Sequence, residues 1–228
     1  MPLITSRAAG GLGSIYSVAG GGPVTPANIL YAWGLGTSGQ LGDNTAVSKS
    51  SPVQIGTSSW KALSVGDTTS LAIKSDGALF GWGVNTSGQL GLDPAGSIPN
   101  VIGTSSWIVV AGGDRHTIAI RSDGALFTWG YNAQGQLGDG TTIDRLSPVQ
   151  IGTSSWTAVA AGNSYCTAIR SDGALFAWGI NTFGRLGDGT TTNRSSPVQI
   201  GSSSWTSVAA GSTHTTAIRS DGALFAWG

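Results

Sequence analysis

The sequence contains no glutamate; all eleven of its acidic residues are aspartate. It has one cysteine, Cys166, and one methionine, and charged residues make up only 10% of 228 positions. Each scarcity closes off a class of protein. With strong helix formers few, an α-helical domain has little to be built from. A lone cysteine excludes an intrachain disulfide and a cysteine-based zinc site, and Cys166 reads as a small buried apolar residue. Eleven Lys and Arg balance eleven Asp, with no basic run, so nothing marks a nucleic-acid or acidic-membrane surface, and neither nucleic acid nor membrane insertion is expected. No apolar stretch is long enough to cross a bilayer. The first 28 residues lack the basic start and apolar run of a secretory leader.

What is abundant is turn chemistry. Glycine occupies 37 positions and hydrophobic residues 39%, a composition too apolar and uncharged for disorder and too glycine-rich for helices. An all-β protein is expected. The stretch 1–28, "MPLITSRAAGGLGSIYSVAGGGPVTPAN", reads as a flexible or extended glycine-rich arm.

The rest is a repeat. One tryptophan series precedes glycine: Trp33, Trp82, Trp129, Trp178 and Trp227, spaced 49, 47, 49 and 49. A second follows serine: Trp60, Trp107, Trp156 and Trp205, spaced 47, 49 and 49. Together they account for all nine tryptophans, which are assigned to the structural core of the repeat. One unit runs from Thr153 to Gly201. It offers a strand "WTAVAAG", a strand "CTAIR", the turn Ser171-Asp172-Gly173, a strand "ALFAWG", a long loop, and "SPVQIG". Asp-Gly between alternating runs predicts a hairpin with both turn residues at positive φ. In "ALFAWG", Phe176 and Trp178 share one face and Leu175 and Ala177 the other. The Ala177 position holds Ala32, Gly81, Thr128 and Ala226 elsewhere, so something packs closely there. Pro197 suits an edge strand.

Small sheets of about 49 residues (one repeat spacing) that cannot bury either face alone predict a β-propeller. The units are read as 29–56, 57–103, 104–152, 153–201 and 202–228, or four repeat equivalents, because five Trp-Gly strands stand against four Ser-Trp strands. The surplus predicts an incomplete ring, with further blades beyond Gly228.

The order "VAAG…T-x-AI…DG-AL-F-x-WG-x-N-x-x-G-QLG-DGT…SPV" is similar to the repeat of the regulator of chromosome condensation family. The loop element stands at Gly39–Gly42, Gly88–Gly91, Gly135–Gly138 and, as "GRLG", at Gly184–Gly187. The resemblance covers about Tyr31 to Gly228. It implies a propeller, usually of seven blades, and a function of the kind that family has, GTPase nucleotide exchange with chromatin binding. The photoreceptor branch carries "GWRHT"; here "GDRHT" puts Asp114 in place of the tryptophan, which excludes that chemistry.

No catalytic constellation emerges. His116 and His214 occupy a slot filled by Thr69 and Tyr165 in other units, so both read as structural links between blades. Asp76, Asp123, Asp172 and Asp221 are turn aspartates. "GDGTTIDR" and "GDGTTTNR" lack the spacing and closing Glu of a calcium loop. No P-loop lysine and no nucleophile elbow is present. The expected function is therefore non-enzymatic, without cofactor or metal. The first expectation is a virion component, a capsid- or tail-attached decoration or fibre protein. It rests on the likeness of "MPLITSRAAGGLG" to N-termini of virion proteins from tailed phages of marine bacteria. Its partners would be other subunits of an assembly, held through residues 1–26, and a host-surface protein or glycan. The alternatives are a cytoplasmic regulator of the family type and a carbohydrate-binding propeller.

Overall fold

The computed structural model describes residues 4–6, 13–19, 28–92 and 96–228, and every regular element among them is a β-strand. The first sheet comprises β1 (Ile4–Ser6), β2 (Gly13–Ala19), β3 (Asn28–Gly34) and β4 (Lys49–Gln54), all antiparallel in chain order. The stretch set apart on sequence as an arm thus contributes two strands to this sheet; the remainder of 1–27 lies outside the described residues. Where the tryptophan count gave four repeat equivalents, there are five sheets.

The following strands are β5 (Trp60–Val65), β6 (Thr69–Lys74), β7 (Ala78–Gly83), β8 (Asn100–Gly112), β9 (His116–Arg121), β10 (Ala125–Gly130), β11 (Arg145–Ala161), β12 (Tyr165–Arg170), β13 (Ala174–Gly179), β14 (Arg194–Ala210), β15 (Thr215–Arg219) and β16 (Leu224–Trp227). Strands β8, β11 and β14 each serve two blades. The first part of β14 pairs with β13 through Ser204, and from Trp205 onward it pairs with β15. Gly201, at φ 61°, sits where this strand leaves one blade for the next. Pro197 falls in the part of β14 bonded only to β13, an edge where its missing N–H costs no ladder bond.

The hairpin turn differs from expectation. Gly173 has φ 87° and its N–H bonds the Arg170 carbonyl at 2.9 Å, whereas Asp172 is not left-handed. The loop is one residue longer than a two-residue turn. Asp172 instead accepts a hydrogen bond from the Ala174 N–H at 3.1 Å, so its carboxylate closes the turn and only glycine has to adopt positive φ.

The core lies between blades. One cluster joins Leu30, Ala32, Leu41 and Ile55 of the first blade to Trp60, Val65, Ala72 and Trp82 of the second. Another joins Ile118, Ile120, Leu126 and Ile151 to Trp156, Cys166, Ala168 and Trp178. Alternation along the strand does this: Leu175 and Ala177 face forward into the fourth junction while Phe176 and Trp178 face back into the third. The small residue that precedes each Trp-Gly tryptophan makes room for the loop leucine; a Cβ on Gly81 would lie 3.2 Å from Leu90 Cδ2. Each buried ring stabilises by roughly 4–6 kcal/mol at about 25 cal/mol per Å², an upper figure.

Consecutive blades meet most tightly at the ends of their first strands. A Cβ on Gly162 would lie 2.6 Å from the Gly211 carbonyl oxygen, and one on Gly113 would lie 2.7 Å from that of Gly162. These edges form the narrow side of the wedge. No extensive contact joins the first and fifth sheets among the described residues, so the blades form an open arc. The forward face of the fifth blade is uncovered: Leu224 is 72% exposed, where Leu126 and Leu175 are fully buried.

Candidate functional site

Blade junctions are organised by the "GxLG" loop between the third and fourth strands. The Gln40 carbonyl accepts the Trp82 indole N–H at 2.9 Å and the Ser70 hydroxyl at 2.7 Å, both from the next blade. The Arg185 carbonyl accepts Trp227 at 3.1 Å and Thr215 at 2.8 Å. Gln89 accepts Thr117 at 2.7 Å, and Gln136 accepts Trp178 at 2.9 Å. Cys166 stands where the other blades place Ser70, Thr117 and Thr215, so the Gln136 carbonyl has one donor. The loop glycine lets the ring approach; Gly138, at φ 74°, would place a Cβ 2.6 Å from Trp178 Nε1.

Seven of the nine tryptophans are buried, and Trp33 and Trp227 are half-buried. Trp60, Trp107, Trp156 and Trp205 each meet the phenylalanine of their own blade edge-on, at 5.3 to 5.4 Å between ring centroids. Beside that phenylalanine, on the strand paired with the tryptophan, lies the cation that opens the repeated phrase: Arg170 is 4.9 Å from the Phe176 centroid and bonds Asp172 at 2.7 Å. Hydrogen bonds from Arg170 and then from the Ala174 N–H hold Asp172 at about 2.

In the slot shared by Thr69, His116, Tyr165 and His214, the His116 and Tyr165 side chains form clasps between blades; the His214 side chain, expected to do the same, is exposed and makes no hydrogen bond among the described residues. His116 Nε2 lies 3.2 Å from Cys166 Sγ, and both side chains are buried. Burial lowers the imidazole to about 4 despite a hydrogen bond to the Tyr165 backbone, and burial raises the Cys166 thiol. Tyr165 reaches onward, donating to the His214 carbonyl at 2.5 Å, and its oxygen lies 3.1 Å from the Thr215 hydroxyl, whose hydrogen serves the Arg185 carbonyl. A neutral imidazole against an un-ionised thiol is a packing contact and lacks a nucleophile.

The aspartate loops are internally saturated. Asp139 accepts from the Thr141 N–H at 3.0 Å, the Thr141 hydroxyl at 2.7 Å and Arg145 Nε at 2.7 Å. Burial pushes this carboxyl up, but the Thr141 and Arg145 hydrogen bonds outweigh it and hold it below its ordinary value. Asp188 repeats the arrangement with Thr190 and Arg194. Among the described residues, no three His, Cys, Asp or Glu side chains are grouped to hold a metal ion.

Two features face solvent. Between the third and fourth blades a cleft of ≈ 530 Å³ is lined by Arg145, Gln150, Trp156, Arg170, Phe176 and Pro197. The equivalent positions between the first and second blades, including Trp60, Lys74, Phe80 and Pro99, line one of ≈ 270 Å³. The other feature is the corner between the fourth and fifth blades, around Tyr165, Phe183 and Arg185. Arg185 is 4% exposed and Phe183 61%. Sequence reasoning missed this corner, although "GRLG" among three "GQLG" elements was its signal.

Successive four-stranded sheets that bury their aromatic faces against one another define a β-propeller of the repeat class. The chain belongs to the RCC1-like domain family, whose sequence model matches residues 7–228. The match begins within the stretch that sequence reasoning set apart as an arm. In structure the chain is similar to human WBSCR16, at 24% identity and a TM-score of 0.80, covering 90% of this chain and 55% of that one. It is also similar to Prp20p of Saccharomyces cerevisiae, at 19% identity and a TM-score of 0.79, covering 90% and 53%. The C-terminal domain of gp131 from bacteriophage phiKZ matches at 12% identity and a TM-score of 0.50, covering 95% and 63%. The chain thus spans about half the length of the first two. No curated protein matches the sequence.

Proposed function

We propose that this chain is a non-enzymatic protein-interaction module, an arc of rigid blades that presents loops and blade junctions to a protein partner. The carrying observation is the separation of roles in each repeat. His116 and Cys166 are buried against each other, and the second histidine, His214, is exposed with no side-chain hydrogen bond among the described residues. Apart from Ile108 and the bare face of the fifth blade, the large apolar side chains that remain exposed, including Ile143, Leu146 and Phe183, lie in the loop and edge region between third and fourth strands. A buried His–Cys pair, a solitary surface histidine and apolar groups on loops suit binding rather than turnover.

A regulator of the RCC1 type is the reading this supports best. Prp20p, which shares the fold, is described by its binding to Gsp1p and to histones. Partners of that kind are proteins, and the zero net charge of this chain favours them over naked nucleic acid. The experiment is nucleotide release from a panel of purified small GTPases. Acceleration by the chain supports the exchange-factor form of the reading, and binding without acceleration supports a scaffold. No binding to any GTPase removes the regulator form.

The second reading is a virion component, with residues 1–26 joined to neighbouring subunits and the blades turned to a host-surface protein or glycan. Its support is the fold likeness to the phage phiKZ domain. Mass spectrometry of purified particles from the source decides it: the chain present at stoichiometric copy number supports this reading, and its absence ends it.

A further inference from the structure

The blades are alike enough that each is a control for the others. Gln40, Gln89 and Gln136 use their side-chain Oε1 to accept the backbone N–H two residues earlier, from Ser38, Ser87 and Gln134, each at 2.9 Å. In the fourth blade these two positions are Arg185 and Phe183. Arginine has no acceptor to offer. The Phe183 N–H consequently has no hydrogen-bond acceptor among the described residues.

The same change adds donors. Arg185 Nη1 bonds the Ser212 carbonyl at 3.0 Å, while Nε is buried without a partner. Its guanidinium lies 5.2 Å from the Phe183 ring centroid and 5.8 Å from that of Tyr165. Among the described residues no carboxylate pairs with it, whereas Arg170, Arg194 and Arg219 nearby in the repeat are each held by an aspartate. A buried cation with unmet donors is costly unless an anion reaches it. One oxyanion, placed where the glutamine Oε1 sits in the other blades, would accept both the Phe183 N–H and a guanidinium N–H.

We propose that the corner formed by Phe183 and Arg185 is a carboxylate-binding site, and that its occupant is an Asp or Glu side chain of a protein partner, flanked by an apolar residue that rests on Phe183. One unpaired cation matches one carboxylate; a phosphate, with nearly two charges, calls for a second cation that the corner lacks. The exposed ring beside the arginine favours a protein segment over a free small acid, since aromatic and Arg pairs of this kind anchor protein interfaces. This rests on the protein-binding reading above and deepens it.

The test is a titration followed by ¹H–¹⁵N NMR of the full chain at constant ionic strength, with acetate, inorganic phosphate and the dipeptide acetyl-Asp-Phe-amide as probes. The dipeptide is expected to shift the Phe183 amide and Arg185 Nε–H saturably, about tenfold more tightly than acetate, and to leave the Gln134 amide unmoved. R185Q installs the residue of the other three blades, so it keeps the fold, with a melting temperature no lower than that of the natural chain, and abolishes both responses. F183S brings the dipeptide down to the level of acetate. No saturable shift, or an undiminished shift in R185Q, overturns the site. Phosphate binding more tightly than the dipeptide overturns the carboxylate, and equal affinity for acetate and dipeptide overturns the protein occupant. A protein partner that binds R185Q as well as the natural chain would leave the interaction module standing and remove this corner from it.

Discussion

Replacing Trp129, Trp82 and Trp178 by phenylalanine should cost stability in that order, although the three residues occupy the same repeat position and all are fully buried. The packing loss is common to all three and amounts to about 1 kcal/mol or somewhat more, since phenylalanine refills most of the site. The difference lies in the loop carbonyl. Trp129 Nε1 makes no hydrogen bond, so W129F loses packing alone. W82F loses a bond to the Gln40 carbonyl, which keeps the Ser70 hydroxyl at 2.7 Å; that adds about 1 kcal/mol. W178F removes the single donor to the Gln136 carbonyl, because Cys166 supplies no hydroxyl, and leaves a buried acceptor unmet at a further cost of ~1–3 kcal/mol. Thermal unfolding by circular dichroism is the assay, with each kcal/mol worth about 2–4 °C in a chain of this size. Equal losses, or W129F as the costliest, would refute the claim that indole-to-loop hydrogen bonds tie the blades together.

Three further outcomes follow from named contacts. His116 titrates at about 4 in the fold against 6.5 in the unfolded chain; between those values only the unfolded chain binds the proton. Stability should therefore fall as pH drops from about 6.5 toward 4, by up to ~3 kcal/mol. H116T, which copies Thr69, should flatten that part of the pH–stability curve, and an unchanged slope would show that burial of His116 is not its source. C166T restores a hydroxyl at the position of Thr117 and should stabilise by about 0.5–1.5 kcal/mol through the Gln136 carbonyl; a lower urea midpoint would mean that the His116 contact outweighs it. G138A and G152A both place alanine at positive φ, 74° and 61°, but only Gly138 faces an indole while Gly152 faces open space. G152A should cost about 1–2 kcal/mol and G138A clearly more, and equal midpoints would discount the ring contact.

The blade architecture was legible because its largest side chains recur at fixed spacing, and a ring such as Trp178 has to be buried wherever the strand puts it. The direction of burial was also legible, from the alternation of Phe176 with Leu175. Strands β1 and β2 were not, because "GSIYSVA" has neither a tryptophan nor an Asp-Gly turn to tie it to the repeat. The hairpin was misjudged at Asp172: the carboxylate closes the turn from an ordinary backbone conformation, a choice that Asp-Gly spacing does not reveal. The Phe183–Arg185 corner stayed hidden for another reason. A change from glutamine to arginine looks modest in a string of letters; its consequence depends on the glutamine oxygen capping a backbone N–H two residues away.

The central claim is that the core of this protein lies between its blades. Amide hydrogen exchange on the chain tests it most directly, since protection follows the covering of each face. Strands β9, β10, β12 and β13, which pack on both sides, should exchange slowest. Strands β15 and β16 should exchange much faster, because Ile218 at 39% exposure and Leu224 at 72% leave one face of their blade bare. Protection in β15 and β16 equal to that in β12 and β13 would contradict the account, because it would mean that each sheet is stable without a neighbour.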